Sequence, residues 1–172
     1  MNLHDFKSTS IILVKREFDF DRLKLLFLEF ASSIDFDLNY RSFIQELSSV
    51  TELYSPPNGI AFILSYDNNT VGCVGIREMS PRVAVIKRLY IRSDFKRHYF
   101  GRQLLKVAID WANQTGMKKL RLDPCDTMQG ITKLCIEEGF AELSSGSNLP
   151  GENFKIYEKK IIPKPEFTRM MA

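Results

Sequence analysis

The densest chemistry in this 172-residue chain is the run Lys96-Arg97-His98-Tyr99-Phe100-Gly101-Arg102, which stands directly before an amphipathic segment. Cations at a helix start oppose the helix dipole, at about 0.3–1 kcal/mol each. The arrangement therefore makes sense where an anion sits among them. A helix N-terminus leaves several backbone N–H groups without an intrahelical acceptor, and with the dipole these make a site for phosphate. Gly101 lets a ligand approach the backbone closely. The run predicts phosphate binding, against the plainer alternative of a solvated basic loop.

The other reactive side chains are sparse. Cys73, Cys125 and Cys135 are an odd number without a CxxC pair, and His4 and His98 are the only histidines. That supply suits neither a structural zinc site nor a disulfide scaffold, and a reducing cytoplasm fits it best. Cys73 and Cys125 read as structural. A net charge of +3 favours an anionic ligand slightly but falls short of a nucleic-acid-binding stripe. No run approaches the roughly 18 apolar residues of a membrane helix, and the first ten residues lack a signal core. The expectation is a soluble cytoplasmic protein with no metal, no nucleic acid and no membrane partner, as monomer or homodimer.

The elements that must position the basic loop follow from periodicity. Residues 11–14 read as a strand. Asp19 caps a helix in which Phe20, Leu23, Phe27 and Phe30 recur at helical spacing. A second helix is predicted over 40–50, with Phe43, Ile44, Leu47 and Val50 on one face. After the Pro56-Pro57-Asn58-Gly59 break, 60–66 and 71–77 form a hairpin around Asp67-Asn68-Asn69. Residues 83–91 alternate as a fourth strand, with Val83, Val85, Lys87, Leu89 and Ile91 on one side. A strong amphipathic helix spans 101–115 and stops at Gly116. A strand at 119–122, ended by Pro124, a helix over 128–138 closed by Gly139, and a last strand at 154–161 complete the chain. Residues 163–172 read as a frayed tail. The order β-α-α-β-β-β-α-β-α-β predicts a single mixed α/β domain over 1–172, a central sheet flanked by helices.

On these residues the chain resembles the GCN5-related N-acetyltransferases (GNAT). The stretch LYIRSDFKRHYFGRQLL, residues 89–105, is similar to the family's acyl-CoA signature, a strand entering a Q/R-x-x-G-x-G/A loop and then a helix. Lys96 falls at the Q/R position, Tyr99 at the first Gly and Gly101 at the second. Residues 53–59, the strand at 71–76, and ITKLCIEEGF at 131–140 resemble family segments in family order. The likeness covers residues 11–162 and implies a GNAT-like fold that uses acetyl-CoA. It implies that the backbone of Leu89, Tyr90 and Ile91 pairs with the pantetheine arm like an added strand. The amides from Arg97 to Arg102 would hold the pyrophosphate. A Tyr at position 99 still offers its N–H, on the expectation that its φ is negative.

The resemblance also exposes missing chemistry. Many members carry a Glu base in the pattern A-E-x-K-R-L-Y-V, where this chain has Val85, which cannot take a proton. Many place a Tyr four residues before the Gly of Gly-Phe to protonate the departing thiolate, and here that residue is Cys135. A thiol of pKa about 8.5 can donate to a thiolate of similar basicity, or simply pack as a small hydrophobe. Glu78 and Glu52 are the nearest substitute bases. His98 belongs with the phosphates or solvent. Asp123 and Asp126 follow the fifth strand, where turn formation at Pro124 explains them equally well. A backbone N–H of Leu89 or Tyr90 would polarise the thioester carbonyl. The resemblance thus implies transfer of acetyl from acetyl-CoA to an amine of a small molecule or peptide. The acceptor would enter beside the two N-terminal helices and the 53–59 loop. The alternatives are a silent acyl-CoA-binding module and a nucleic-acid binder using basic residues of 82–102, the latter without a stacking array of aromatics.

Overall fold

The computed structural model describes residues 8–34, 40–96, 99–122, 131–143 and 156–162. Seven strands form one sheet: β1 (Thr9–Leu13), β2 (Gly59–Tyr66), β3 (Asn69–Ser80), β4 (Val83–Ile91), β5 (Lys119–Leu122), β6 (Ala141–Leu143) and β7 (Ile156–Lys160). Their spatial order is β1-β2-β3-β4-β5-β7-β6. All neighbours pair antiparallel except β4 and β5, which run parallel. The helices are α1 (Glu17–Ser33), α2 (Tyr40–Ser48), α3 (Val50–Leu53), α4 (Phe100–Gln114) and α5 (Thr132–Glu137). The α/β class is as expected, and α3 and β6 are additions to the expected order. β6 is three residues long, too short to show a period.

Strand alternation sends apolar side chains to both faces of the sheet. On one face Leu64, Val74, Ile86 and Leu89 pack with Leu104, Leu105 and Ala108 of α4 and Cys135 of α5. On the other, Ala61, Ile63, Cys73 and Tyr90 meet Leu23, Phe27 and Phe30 of α1, Phe43 of α2 and Val50 and Tyr54 around α3. A Cβ at Gly75 would collide with the Tyr54 ring, so this glycine is what lets the ring lie on the sheet.

Three expectations need correction. Asp19 is not the N-cap of α1. The helix begins after Arg16, and Asp19, in its first turn, accepts from the Arg16 N–H at 3.4 Å and its guanidinium at 3.0 Å. The inward face of α2 carries Glu46, 7% exposed, whereas Ile44 is 42% exposed. A buried cation, Arg88, draws the carboxylate inward.

β4 does not alternate strictly. Cys73 pairs with Tyr90 but Gly75 with Lys87, so β4 carries an extra residue, and Arg88 sits there at φ +56°. This bulge reverses the parity of the strand. Val83, Val85 and Lys87 therefore do not share a side with Leu89 and Ile91. Instead Ala84, Ile86, Leu89 and Ile91 join the α4 face, and Tyr90 joins the α1 face.

Pro124 and the start of the expected 128–138 helix, residues 154 and 155 of the expected last strand, and the 163–172 tail lie outside the described residues.

Candidate active site

β4 and β5 pair from Val83↔Lys119 to Ile86↔Leu122, where β5 ends, while β4 continues to Ile91. Among the described residues no strand pairs with β4 on that side beyond Ile86. The Arg92 N–H donates to the Val71 carbonyl at 2.9 Å, across the β3 side. One residue earlier, Ile91 therefore turns its N–H and C=O to the opposite edge. That edge borders a cleft of about 240 Å³ lined by Leu89, Tyr90, Ile91, Lys96, Gly101, Ile131 and Leu134. A bidentate ion pair of Arg92 with Glu29 of α1, at 2.7 and 2.8 Å, holds the strand end. Burial, with Glu29 nearby, pushes the Tyr90 phenol up.

The chain leaves β4 through a 3-10 turn at Ser93–Phe95 and enters α4 at Tyr99. Tyr99 has φ +58° and ψ +14°, so the expectation of a negative φ is overturned. The position keeps the left-handed backbone of a glycine without being one. Its side chain is 76% exposed and makes no cap to the helix. The first intrahelical acceptor contact is Gln103 N–H to Tyr99 carbonyl, so the amides of Gly101 and Arg102 have no acceptor within the helix. Among the described residues a Cβ at Gly101 would touch Leu134 alone, at 3.6 Å, which leaves room there for a ligand.

The sequence-derived residues divide here. Leu89, Tyr90, Ile91, Lys96 and Gly101 meet in the one cleft. The Phe100 ring is buried against Tyr66, with centroids 5.2 Å apart, leaving its backbone for the site. The Arg102 guanidinium grips Glu137, the last residue of α5, and Glu138 just after it, so its charge at the helix start is already balanced. Those carboxylates raise its pKa further. Arg97, His98, Asp123, Cys125 and Asp126 lie outside the described residues. Ile131 and Leu134 were not anticipated as cleft residues. Their i, i+3 spacing on a helix beside Gly101 was the available signal.

A second cleft, about 420 Å³, is lined by Arg77, Glu78, Met79, Val85, Lys87, Arg121, Leu122 and Ile156. Val85 and Lys87 alternate with Ala84 and Ile86 of the α4 face, so this cleft opens on the other face of the sheet. Glu78 is exposed, and its carboxylate accepts from the Arg82 N–H at 3.4 Å, on its own hairpin turn. Glu52 lines a third, shallow cleft of about 500 Å³ with Arg77 and Glu78. Cys135 is fully buried in the α4-side core and lines none of the three. Among the described residues no group of His, Cys, Asp and Glu gathers to hold a metal, and no helix is long and apolar enough to cross a membrane.

Known proteins share the sequence pattern and the fold of this chain. Residues 21–131 match the Acetyltransferase (GNAT) family. The chain belongs to that family. An uncharacterized N-acetyltransferase of Schizosaccharomyces pombe is 30% identical over 133 residues, 76% of this chain and 82% of that protein. A GNAT-family acetyltransferase of Staphylococcus aureus superposes with a TM-score of 0.70 at 18% identity, over 90% of this chain and all of its own. The PaiA N-acetyltransferase of Thermoplasma acidophilum, solved with coenzyme A, gives 0.63 at 19% identity, over 88% and 99%. These two structures speak to the fold. GNAT proteins transfer acetyl groups from acetyl-CoA, and the cleft of Leu89–Ile91 and the α4 N-terminus suits an extended arm ending in a pyrophosphate: a strand edge for the arm, open amides for the anion.

Proposed function

We propose that the protein is an N-acetyltransferase that moves the acetyl group of acetyl-CoA to an amine of a small molecule or peptide. The observation carrying this reading is the free edge of Leu89–Ile91 in the same cleft as the N-terminal turn of α4. The backbone of Leu89 and Ile91 would take the pantetheine arm, with Tyr90 between them facing Cys73 of β3. Amides of the loop and helix start, from Arg97 to Arg102, would take the pyrophosphate, with Lys96 adding charge. Acetyl-CoA supplies an activated acyl group whose carbonyl gains negative charge as the amine attacks. The Leu89 N–H is the proposed donor to that oxygen, because the Tyr90 backbone faces Cys73 of β3. Val85 holds no proton acceptor, so the acceptor amine must arrive neutral or lose its proton to solvent or to Glu78. Cys135 as proton donor to the thiolate requires a path from the core to the cleft. We place this chemistry in the cytoplasm, with no nucleic-acid partner.

A second reading, a silent acyl-CoA-binding module, is favoured by the apolar Val85 and the buried Cys135. Calorimetric titration with CoA, followed by thiol release across an amine panel, separates the two. Binding with turnover supports the enzyme, and binding alone the module. Gly101→Glu should fold, because its Cβ meets little, and should abolish CoA binding. Unchanged affinity in that variant would remove the site from this cleft.

A further inference from the structure

Both ends of the segment that joins the donor edge to α4 rest on one aromatic ring. Tyr66, the last residue of β2, packs with Phe95 at 6.1 Å between ring centroids and 71° between planes, and with Phe100 at 5.2 Å and 52°. Aromatic pairs favour such edge-on and tilted arrangements. Phe95 closes the 3-10 turn after β4, and Phe100 opens α4. The residues that follow them, Lys96 and Gly101, both line the Leu89–Ile91 cleft. Phe100 is buried, and Tyr66 and Phe95 pack against the same α4-side core, so the rings brace these two cleft residues from the core side. Tyr66 itself lines none of the three clefts.

Tyr66 is held in its turn. Asp67 and Asn68 take φ of +50° and +60°, the backbone of a two-residue type I′ hairpin turn, across which Tyr66 pairs with Asn69. The next residue, Thr70, accepts the Arg92 guanidinium on its carbonyl at 2.7 Å and the Arg22 guanidinium on its hydroxyl at 2.9 Å. The hairpin end therefore holds the crossing from β4 to α4 at Arg92, Phe95 and Phe100.

From this geometry we infer that Tyr66 is a positioning residue for the acetyl donor. By bracing Phe95 and Phe100 it fixes Lys96 and the Gly101 and Arg102 amides for the pyrophosphate before the ligand arrives. This rests on the acetyl-CoA reading and adds the residue that preorganises its anion site. Donors already fixed lose less on binding than donors that must first be ordered. The effect falls on the pyrophosphate and spares the pantetheine arm, whose strand edge is set by pairing with β3 and by the Arg92–Glu29 ion pair.

The test compares CoA with pantetheine, which has the same arm and no pyrophosphate, by calorimetry on the unmodified protein, Tyr66→Leu and Tyr66→Phe. Urea unfolding establishes that each variant is folded. Tyr66→Leu keeps bulk without a ring and should weaken CoA about tenfold, the order of one aromatic contact. Its affinity for pantetheine should change by less than about twofold. Tyr66→Phe, which keeps the ring, should hold CoA within about threefold of native. In turnover, Tyr66→Leu should raise the KM for acetyl-CoA with kcat within about twofold. If Tyr66→Leu does not fold, Phe95→Leu removes one of the same ring contacts from the other side and is read in the same way. Equal loss for CoA and pantetheine would reduce Tyr66 to general packing and overturn the inference. So would native CoA affinity in Tyr66→Leu, or a Tyr66→Phe protein as weak as Tyr66→Leu. Absence of CoA binding by the unmodified protein would instead remove the acetyl-CoA reading, and this inference with it.

Discussion

Arg88 and Glu46 stand 42 residues apart in the chain and 2.5 Å apart in the fold, both nearly excluded from solvent. The carboxylate also receives the Tyr54 hydroxyl at 2.5 Å, and the guanidinium lies over the rings of Phe30 and Phe43 at 5.3 and 5.5 Å. Burial and the Glu46 charge push the Tyr54 phenol well up, so it remains a donor. Arg88 is the left-handed residue of the β4 bulge. The pair therefore fixes α2 against the sheet and holds the bulge one residue before Leu89, where the exposed strand edge begins.

Glu46→Ala should destabilise the protein by about 3–5 kcal/mol, because it strands a buried cation. Replacing both partners, with Glu46→Leu and Arg88→Met, should recover most of that loss. Urea unfolding measures both. The double variant should still lose CoA affinity, since nothing then pins Arg88's position in the left-handed region. Native affinity in the double variant would confine the pair to a packing role.

Tyr99→Gly should stabilise the fold by roughly 1 kcal/mol, since a non-glycine residue at φ +58° carries strain of that order. CoA affinity should hold or tighten, because the loop gives backbone donors and the exposed ring touches little. If affinity collapses in a folded protein, the Tyr99 side chain itself grips the ligand.

How far the sequence speaks for this site can be seen along β4. Its limits, 83–91, follow from alternating apolar residues, and the basic loop and helix beyond follow from charge and periodicity. The bulge does not, because nothing in the identity of Arg88 announces a positive φ, and strict alternation then assigns Leu89 and Ile91 to the wrong face. Glu46 is hidden for a related reason. A carboxylate in an amphipathic helix reads as solvent-facing until its partner, far along the chain, is known. The charge argument at Arg102 also weakens once Glu137 and Glu138 are seen beside it, whereas the open amides at the start of α4 stand without it.

Cys135 is expected to matter for packing. Cys135→Ala should keep turnover and CoA affinity while lowering stability by about 1 kcal/mol, as removal of a small buried group does. A fall in turnover of roughly 10²–10⁴, with affinity kept, would identify the thiol as the proton donor to the departing thiolate.

Asp19 should give the fold an acid limit. The Arg16 hydrogen bond, with the Arg16 and Arg22 charges, holds its carboxyl below the usual carboxylate range against the opposing effect of burial. A folded pKa below the unfolded one means stability that is present above about pH 4 and drains away as the pH falls through the folded value. Asp19→Asn should lower stability at neutral pH and flatten its decline below about pH 4. Parallel pH–stability curves for the two proteins would assign the acid limit elsewhere.

The absence of a carboxylate at Val85 should show in the pH dependence of turnover. Val85 faces the second cleft among Lys87, Arg121 and Leu122, and the one carboxylate lining that cleft among the described residues, Glu78, is bound to its own turn. With no base to draw a proton from the incoming ammonium, the rate at saturating acetyl-CoA should rise with pH. It should level off near the pKa of the acceptor amine and shift when a less basic amine is used. A recruited Glu78 would instead give a pKa that stays fixed across acceptors and vanishes in Glu78→Gln. Val85→Glu is the complement. It should raise the rate near neutral pH, because the new carboxylate enters beside cationic Lys87 and Arg121, which favour its ionised form against the cost of burial. An acceptor-independent pKa near neutrality in the unmodified enzyme would show that another residue serves as the base.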